Sequence, residues 1–280
     1  MKTKHKIAVA KIAYLVLHGF RRVVGASDEV IVMRRGVRYC LDLSEGIDLA
    51  IFLGQYEPQT IAACRRSILS GHNVLDIGAN IGAHTLNFAH LVGVTGRVFA
   101  FEPTDFAFSK LNRNLNLNPN LAARVTAFQC FLGSKDGEVI SAPIYSSWPL
   151  LRGENLHQKH LGRSMPTAKS CQRTLDSILA EHGQPKIHFV KLDVDGFECQ
   201  VLSGAREMMS RDRPVFAMEL SPYILKERGA SLDELMQYFT TFGYRFYREG
   251  DNRLLPREVE QLAALIGDGA GMNVIARPQL

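Results

Sequence analysis

One stretch constrains this chain more than any other: Val74-Leu75-Asp76-Ile77-Gly78-Ala79-Asn80-Ile81-Gly82. An apolar run ends on an acid, turns through two glycines four residues apart, and leads into a helix. Gly78 and Gly82 allow torsions or close approaches that a Cβ would block. A ligand can then lie across the strand end, beside the helix N-terminus. Two nucleotide chemistries compete for such a turn. A dinucleotide site would read G-x-G-x-x-G, with backbone against a pyrophosphate. This chain has only the two glycines, and Asp76 would repel a pyrophosphate. The amino-acid end of S-adenosyl-L-methionine carries an ammonium and a sulfonium, which a carboxylate favours directly or through water. The spacing D-x-G-x-x-x-G therefore predicts that cofactor, with Asp76, Gly78, Ala79, Asn80 and Gly82 around it.

The rest of the chain alternates as a doubly wound α/β fold requires. Strands are predicted at 73–76, 97–102, 124–129, 187–192 and 213–219. Helices are predicted at 57–69, 82–92, 105–117, 175–182, 197–210 and 231–242. Final strands at 243–248 and 272–277 would close a mostly parallel seven-stranded sheet with antiparallel pairing. The second strand ends in Glu102-Pro103, 26 residues after Asp76. A carboxylate there can accept both ribose hydroxyls, and Pro103 stops the strand. At the third strand end, where adenine usually sits, the candidate is Gln129 or backbone; Phe131 reads as core.

The fourth strand end crowds Lys191, Asp193, Asp195 and Glu198 together. If the strand continued, the first three would share a face, and Lys191 would keep the carboxylates charged. Asp195 or Glu198 also suits a helix cap. Asp193 is the leading catalytic candidate, pointing toward the transferred methyl or the acceptor oxygen. Glu219 ends the fifth strand as an isolated acid. His84, just after Gly82, suits a general base, or a packing role at the helix start. Tyr56-Glu57-Pro58 precedes the first core helix and could fold over the methionine end, or serve as a structural lead-in. A divalent ion held by Asp193, Asp195 and Glu219 is a weaker alternative; the preferred reading has no metal.

Two segments stand apart. Residues 1–55 read as an N-terminal extension ahead of a methyltransferase-type domain at 56–280: a helix over 3–24, then strand-like alternation over 29–53. Lys2, Lys4 and Lys6 before Ile7–Leu17, with Val24-Gly25-Ala26 after, resemble a secretory leader. Lys11, Arg21 and Arg22 break that pattern, and the stretch is short of the roughly 20 residues that span a bilayer. The helix is expected to pack on the domain, with weak membrane-surface or partner contact as the alternative. Residues 144–170 lack periodicity and hold Trp148, Arg152, His157, Lys159, His160 and Arg163. They suit a substrate lid or a surface loop.

Composition adds limits. The chain is 46% hydrophobic and 22% charged, with a net charge of +5. That excess is mild and dispersed, so no nucleic-acid partner is expected. Five cysteines without a C-x-x-C pair argue against a disulfide framework or zinc site and suit a reducing cytoplasm. A small hydroxylated molecule is the expected partner, and a homo-oligomer is compatible with the sequence.

Taken together, Tyr56-Glu57-Pro58, Asp76 to Gly82, Phe101-Glu102-Pro103, Asn112 to Asn118, Thr174-Leu175-Asp176, Lys191 to Gly196 and Glu219 resemble the FkbM-like methyltransferases over residues 36–277. That family usually reads K-x-D-x-E-G where this chain has Asp195. The resemblance implies methyl transfer from S-adenosyl-L-methionine to a hydroxyl of a sugar, polyketide or other secondary metabolite. The rivals are a nicotinamide-dependent oxidoreductase, a non-catalytic binding module on the same fold, and N- or nucleic-acid methylation. For the last, the fourth strand end lacks the Asn-Pro-Pro-Tyr or Asp-Pro-Pro-Tyr of many amino-methylating enzymes.

Overall fold

The computed structural model describes residues 3–138, 142–151, 156–158 and 161–279. Of the residues singled out above, Lys2, Arg152, Lys159 and His160 lie outside these.

The chain opens with helix α1 (Thr3–Val23) and a hairpin of β1 (Glu29–Arg34) and β2 (Val37–Asp42), followed by α2 (Gly46–Phe52). The strand-like alternation expected to residue 53 thus gives way to a helix. Short apolar runs do not fix their own type. Here the helical turn lets the buried Asp48 accept from the Asp42 amide at 2.7 Å and pair with Lys110 at 2.5 Å.

Helix α3 (Pro58–Ser67) leads into the alternating units: β3 (Asn73–Ile77), α4 (Ala83–Leu91), β4 (Arg97–Phe101), α5 (Asp105–Asn116), the single turn α6 (Pro119–Ala122) and β5 (Val125–Phe128). Thr104 caps α5 by accepting from the Ala107 amide. Three short strands follow, β6 (Cys130–Leu132), β7 (Ile144–Ser147) and β8 (Arg163–Met165), then β9 (Cys171–Arg173) and α7 (Leu175–Glu181). β7 and β8 pair antiparallel, so the aperiodic 144–170 segment contains a small hairpin.

The chain continues through β10 (Phe189–Leu192), α8 (Glu198–Ser203), α9 (Arg206–Asp212), β11 (Val215–Leu220), α10 (Pro222–Glu227), α11 (Leu232–Thr241), β12 (Tyr244–Arg248), α12 (Val259–Ile266) and β13 (Met272–Pro278). The single helix expected over 197–210 is therefore two. Gly204 lies between them, and a Cβ there would stand 2.2 Å from the Gly133 carbonyl oxygen, so the chain breaks to let β6 pass.

The main sheet runs β12-β13-β11-β10-β3-β4-β5. β11, β10, β3, β4 and β5 are parallel, and β13 is antiparallel to both of its neighbours. This is the seven-stranded doubly wound sheet of the class I methyltransferase fold. Burial on both faces explains the nearly continuous apolar runs. Leu75, Ile77, Val190 and Leu192 face one core, with Phe216, Phe239 and Tyr244. Val74, Val98, Phe189 and Ala217 face the other. That second core also takes in Tyr14, Val37, Leu41, Leu43, Leu49 and Ile51, so the N-terminal extension shares the domain's interior.

Candidate active site

A cavity of about 750 Å³ lies outside the carboxyl ends of β3, β4, β10 and β11, where ligands bind in open parallel sheets. Its charge is one-sided. Among the described residues that line it are Glu57, Glu102, Asp193, Asp195 and Glu219, and no lysine, arginine or histidine.

The first turn has the expected conformation with a different use of space. Gly78 and Gly82 have φ of +84° and +85°. A Cβ on Gly78 would lie 1.8 Å from the Asp193 carbonyl oxygen, and one on Gly82 would lie 2.5 Å from Leu111. The missing atoms let β3 close on the end of β10 and α4 close on α5. Gly78 and Asn80 line the cavity; Ala79 and Gly82 do not. Nor does Asp76. It is fully buried, with Oδ2 accepting from Thr85 at 2.5 Å. Alternation turns it with Val74 away from Ile77, the β3 residue that lines the cavity.

Glu102 is buried beside the cavity. Its Oε1 accepts from the Thr104 amide and hydroxyl at 2.9 and 2.6 Å, and Oε2 accepts from the Asn80 amide at 3.0 Å. Burial raises its pKa, and these three bonds oppose the rise. Pro103 lines the cavity at the strand stop, whereas Gln129 donates to Asp105 at 2.5 Å and is not part of the lining. The apolar wall there is Cys130, Phe131 and Leu132.

β10 ends at Leu192, so Lys191, Asp193 and Asp195 do not share one strand face. Lys191 is buried beneath the floor, its Nζ 2.8 Å from Asp193 Oδ2. Asp193 and Asp195 face the cavity, the latter at a left-handed φ of +47°. Glu198 accepts from the Gly196 amide at 3.3 Å, but the N-cap of α8 is Phe197, with no side-chain cap bond, so neither Asp195 nor Glu198 caps the helix. Lys191 does not keep all these acids ionised. Burial, then the charges of Asp193 and Glu198, push Asp195 up to about 7. Burial pushes Glu198 up to about 7. Burial, then Asp193, Asp195 and Glu198, push Glu219 up to about 8. Among the described residues no three His, Cys, Asp or Glu side chains form a metal-holding group, so the alternative of Asp193, Asp195 and Glu219 around a divalent ion finds no such ligand set.

Tyr56 and Glu57 line the cavity, and His84 stands behind them. His84 is buried, with Nε2 2.8 Å from Glu57 Oε2 and its ring 5.4 Å from that of Tyr56. Glu57 was not singled out as a site residue. Its signal was local: an acid between Tyr56 and the Pro58 that starts α3.

The roof comes from segments far apart in sequence. α1 contributes Val9, Ala10 and Ala13; α2 and its flanks contribute Ile47, Leu49 and Leu53; the β7 region contributes Tyr145 and Trp148. Glu45 ties these together, accepting from the Ser147 hydroxyl at 2.9 Å and the Trp148 amide at 2.8 Å. The Gly46 amide donates to the Trp148 carbonyl and the Leu150 amide to Ser44.

Known proteins resemble this chain in sequence. Residues 76–246 match the Methyltransferase FkbM domain. The 31-O-demethyl-FK506 methyltransferase FkbM of Streptomyces tacrolimicus is 27% identical over 69% of this chain and 80% of its own length. The hexuronic acid methyltransferase AglP of Haloferax volcanii is 30% identical over 46% of this chain and 48% of its own. A solved methyltransferase FkbM from Methylobacillus flagellatus KT is 20% identical, covers 74% of this chain and 44% of that one, and superposes with a TM-score of 0.47. The chain spans between 48% and 60% of the length of the first curated relatives it matches. The domain match covers more than half of the chain and runs from Asp76 through the strand ends that build the cavity floor: the chain belongs to the FkbM family of methyltransferases.

Proposed function

We propose that this chain transfers a methyl group from S-adenosyl-L-methionine to a hydroxyl of a small molecule. The observation that carries the reading is the all-acidic lining. Five carboxylates with no basic side chain among the described lining residues suit a ligand bearing an ammonium and a sulfonium. They would repel the pyrophosphate of a nicotinamide dinucleotide. Glu102 is the residue for the ribose hydroxyls, and Phe131 and Leu132 form the apolar wall for the base. Glu57, Asp193 and Asn80 surround the amino-acid end, with His84 holding Glu57 in place. Asp76 acts from behind, buried under the turn and bonded to Thr85.

When bound, the cofactor supplies an electrophilic methyl and a neutral thioether as leaving group. The chain's own residues place the acceptor and take its proton. As the C–O bond forms and the C–S pair returns to sulfur, the hydroxyl proton must leave. Glu219 is the proton acceptor in this reading. Its pKa near 8 matches that task near neutral pH, and it ionises more readily once a cation offsets its acidic neighbours. Asp193, held by Lys191, orients the hydroxyl. Sequence favoured Asp193 for the base; the ion pair and the raised Glu219 shift that assignment.

The relatives named for FK506 and hexuronic acid make sugar and polyketide hydroxyls the first acceptors to try. All five cysteines are free thiols, in keeping with a reducing compartment. The test is incubation with methyl-labelled cofactor and a panel of hydroxylated sugars and polyketides, read by mass spectrometry, beside calorimetry with S-adenosylhomocysteine and NAD. Gain of one methyl and binding of S-adenosylhomocysteine alone are expected. NAD binding without S-adenosylhomocysteine binding at millimolar levels overturns the reading.

A further inference from the structure

Helix α1 is apolar on two sides. Ala10, Tyr14 and Leu17 pack into the domain core, with Tyr14 fully buried and its hydroxyl donating to Asp28 at 2.7 Å. His18 also contacts Asp28, at 2.9 Å, so the helix is pinned at mid-length. The opposite side carries Val9, Ile12, Leu15, Val16, Phe20 and Val23, each between 54% and 85% exposed. At 100° per residue these six fall within an arc of about 140°, well under half of the circumference. Lys11 and Arg22 are exposed along one border of that stripe. The helix sequence contains Lys4, Lys6, Lys11, Arg21 and Arg22 and no aspartate or glutamate.

We propose that α1 lies on an anionic lipid surface, its exposed apolar stripe in the headgroup–acyl boundary and its basic border against lipid phosphates. An apolar stripe of this length facing water is unfavourable and marks an interaction surface. Charge selects the occupant. A second copy of the helix would bring only like charges, with no acid to pair them, whereas an anionic bilayer complements the exposed Lys11 and Arg22. No described helix is long and apolar enough to cross a membrane, so the contact is in the surface plane. Val9 belongs both to the stripe and to the cavity lining, so docking sets the cavity mouth beside the lipid headgroups. Cavity position is the only link to the proposed methyl transfer; the docking itself does not depend on it.

The test is flotation of the full chain with vesicles of phosphatidylcholine alone or mixed with phosphatidylglycerol, with light scattering for mass. The chain is expected to float with the anionic vesicles, weakly with the neutral ones, and less as salt rises. Val16→Ser with Phe20→Ser should reduce binding about tenfold or more. Lys11→Ala and Arg22→Ala should each reduce it about fivefold, and only on anionic vesicles. All four positions are exposed, and an unchanged melting temperature confirms each variant's fold. Failure to float with anionic vesicles overturns the proposal. So does binding that the Val16/Phe20 variant leaves intact. A dimer that this variant dissociates, without vesicle binding, assigns the stripe to a second copy instead. Each readout omits the cofactor, so failure here is distinct from failure of the methyl-transfer reading.

Discussion

The floor and the roof of the cavity are built on opposite principles. The floor is contributed by strand ends inside the matched domain, and its functional groups are carboxylates held by short bonds, as Glu102 is by Thr104 and Asn80. The roof draws on the extension and the β7 region, and apart from Trp148 and Tyr145 it is aliphatic. A polar, hydrogen-bonded floor can read one ligand's charges and hydroxyls, because a buried polar group left without its partner is costly. An aliphatic roof discriminates only weakly, about tenfold per methylene. Under the proposed function, the difference separates cofactor selection, assigned to the floor, from acceptor selection, assigned to the roof.

If that division is right, substitutions on the two sides should have different signatures. The largest effect is expected from Glu219→Gln, which keeps shape and removes the proton acceptor. Steady-state kinetics should show kcat lower by about 10²–10⁴-fold, while calorimetry finds S-adenosylhomocysteine affinity within a few-fold. Equal loss of both would make Glu219 a binding group. Next is Gly78→Ala, whose Cβ meets a backbone carbonyl at 1.8 Å with φ at +84°. Denaturant unfolding should register a loss of about 3 kcal/mol or more, and cofactor binding should fall with it.

A pH series probes the raised acids of the floor. Asp195 and Glu198 near 7 and Glu219 near 8 are raised carboxylates. Their protonated forms contribute stability that is fully present below the ordinary carboxylate range and is lost as pH rises through about 7 to 8. The melting temperature should therefore fall across that window. Affinity for S-adenosylhomocysteine, which keeps the ammonium, should rise over the same window by up to about tenfold. Opposite trends would place the cation elsewhere. The smallest effect is expected from Trp148→Ala in the roof: a few-fold to tenfold rise in acceptor KM, with cofactor affinity unchanged. A matching loss of cofactor affinity would erase the distinction between the two sides.

The legibility of the sequence follows the same line. Apolar runs ending in Asp76, Glu102 and Glu219 fixed the strands, because strands buried on both faces leave a simple pattern. Of the residues singled out for the site, Tyr56, Gly78, Asn80, Glu102, Pro103, Asp193 and Glu219 line the cavity. Asp76 stood out for the right turn, but strand alternation directs its side chain to Thr85. Glu57 was read only as part of Tyr56-Glu57-Pro58, because a single acid before a proline carries no periodicity; His84, 27 residues on, marks it in three dimensions. The helix at 46–52 was hidden for another reason. Its Asp48 pairs with Lys110, a tertiary partner invisible to local pattern.

Glu45 has a mechanical consequence. Through its carboxylate, and through the Gly46 and Leu150 amides, two segments about a hundred residues apart are fastened edge to edge. They cannot part like two independent flaps without forfeiting several buried bonds at once. Traffic into the chamber must therefore swing them as one leaf or slip past its free margin, and a lesion at Glu45 would turn a single door into two loose shutters.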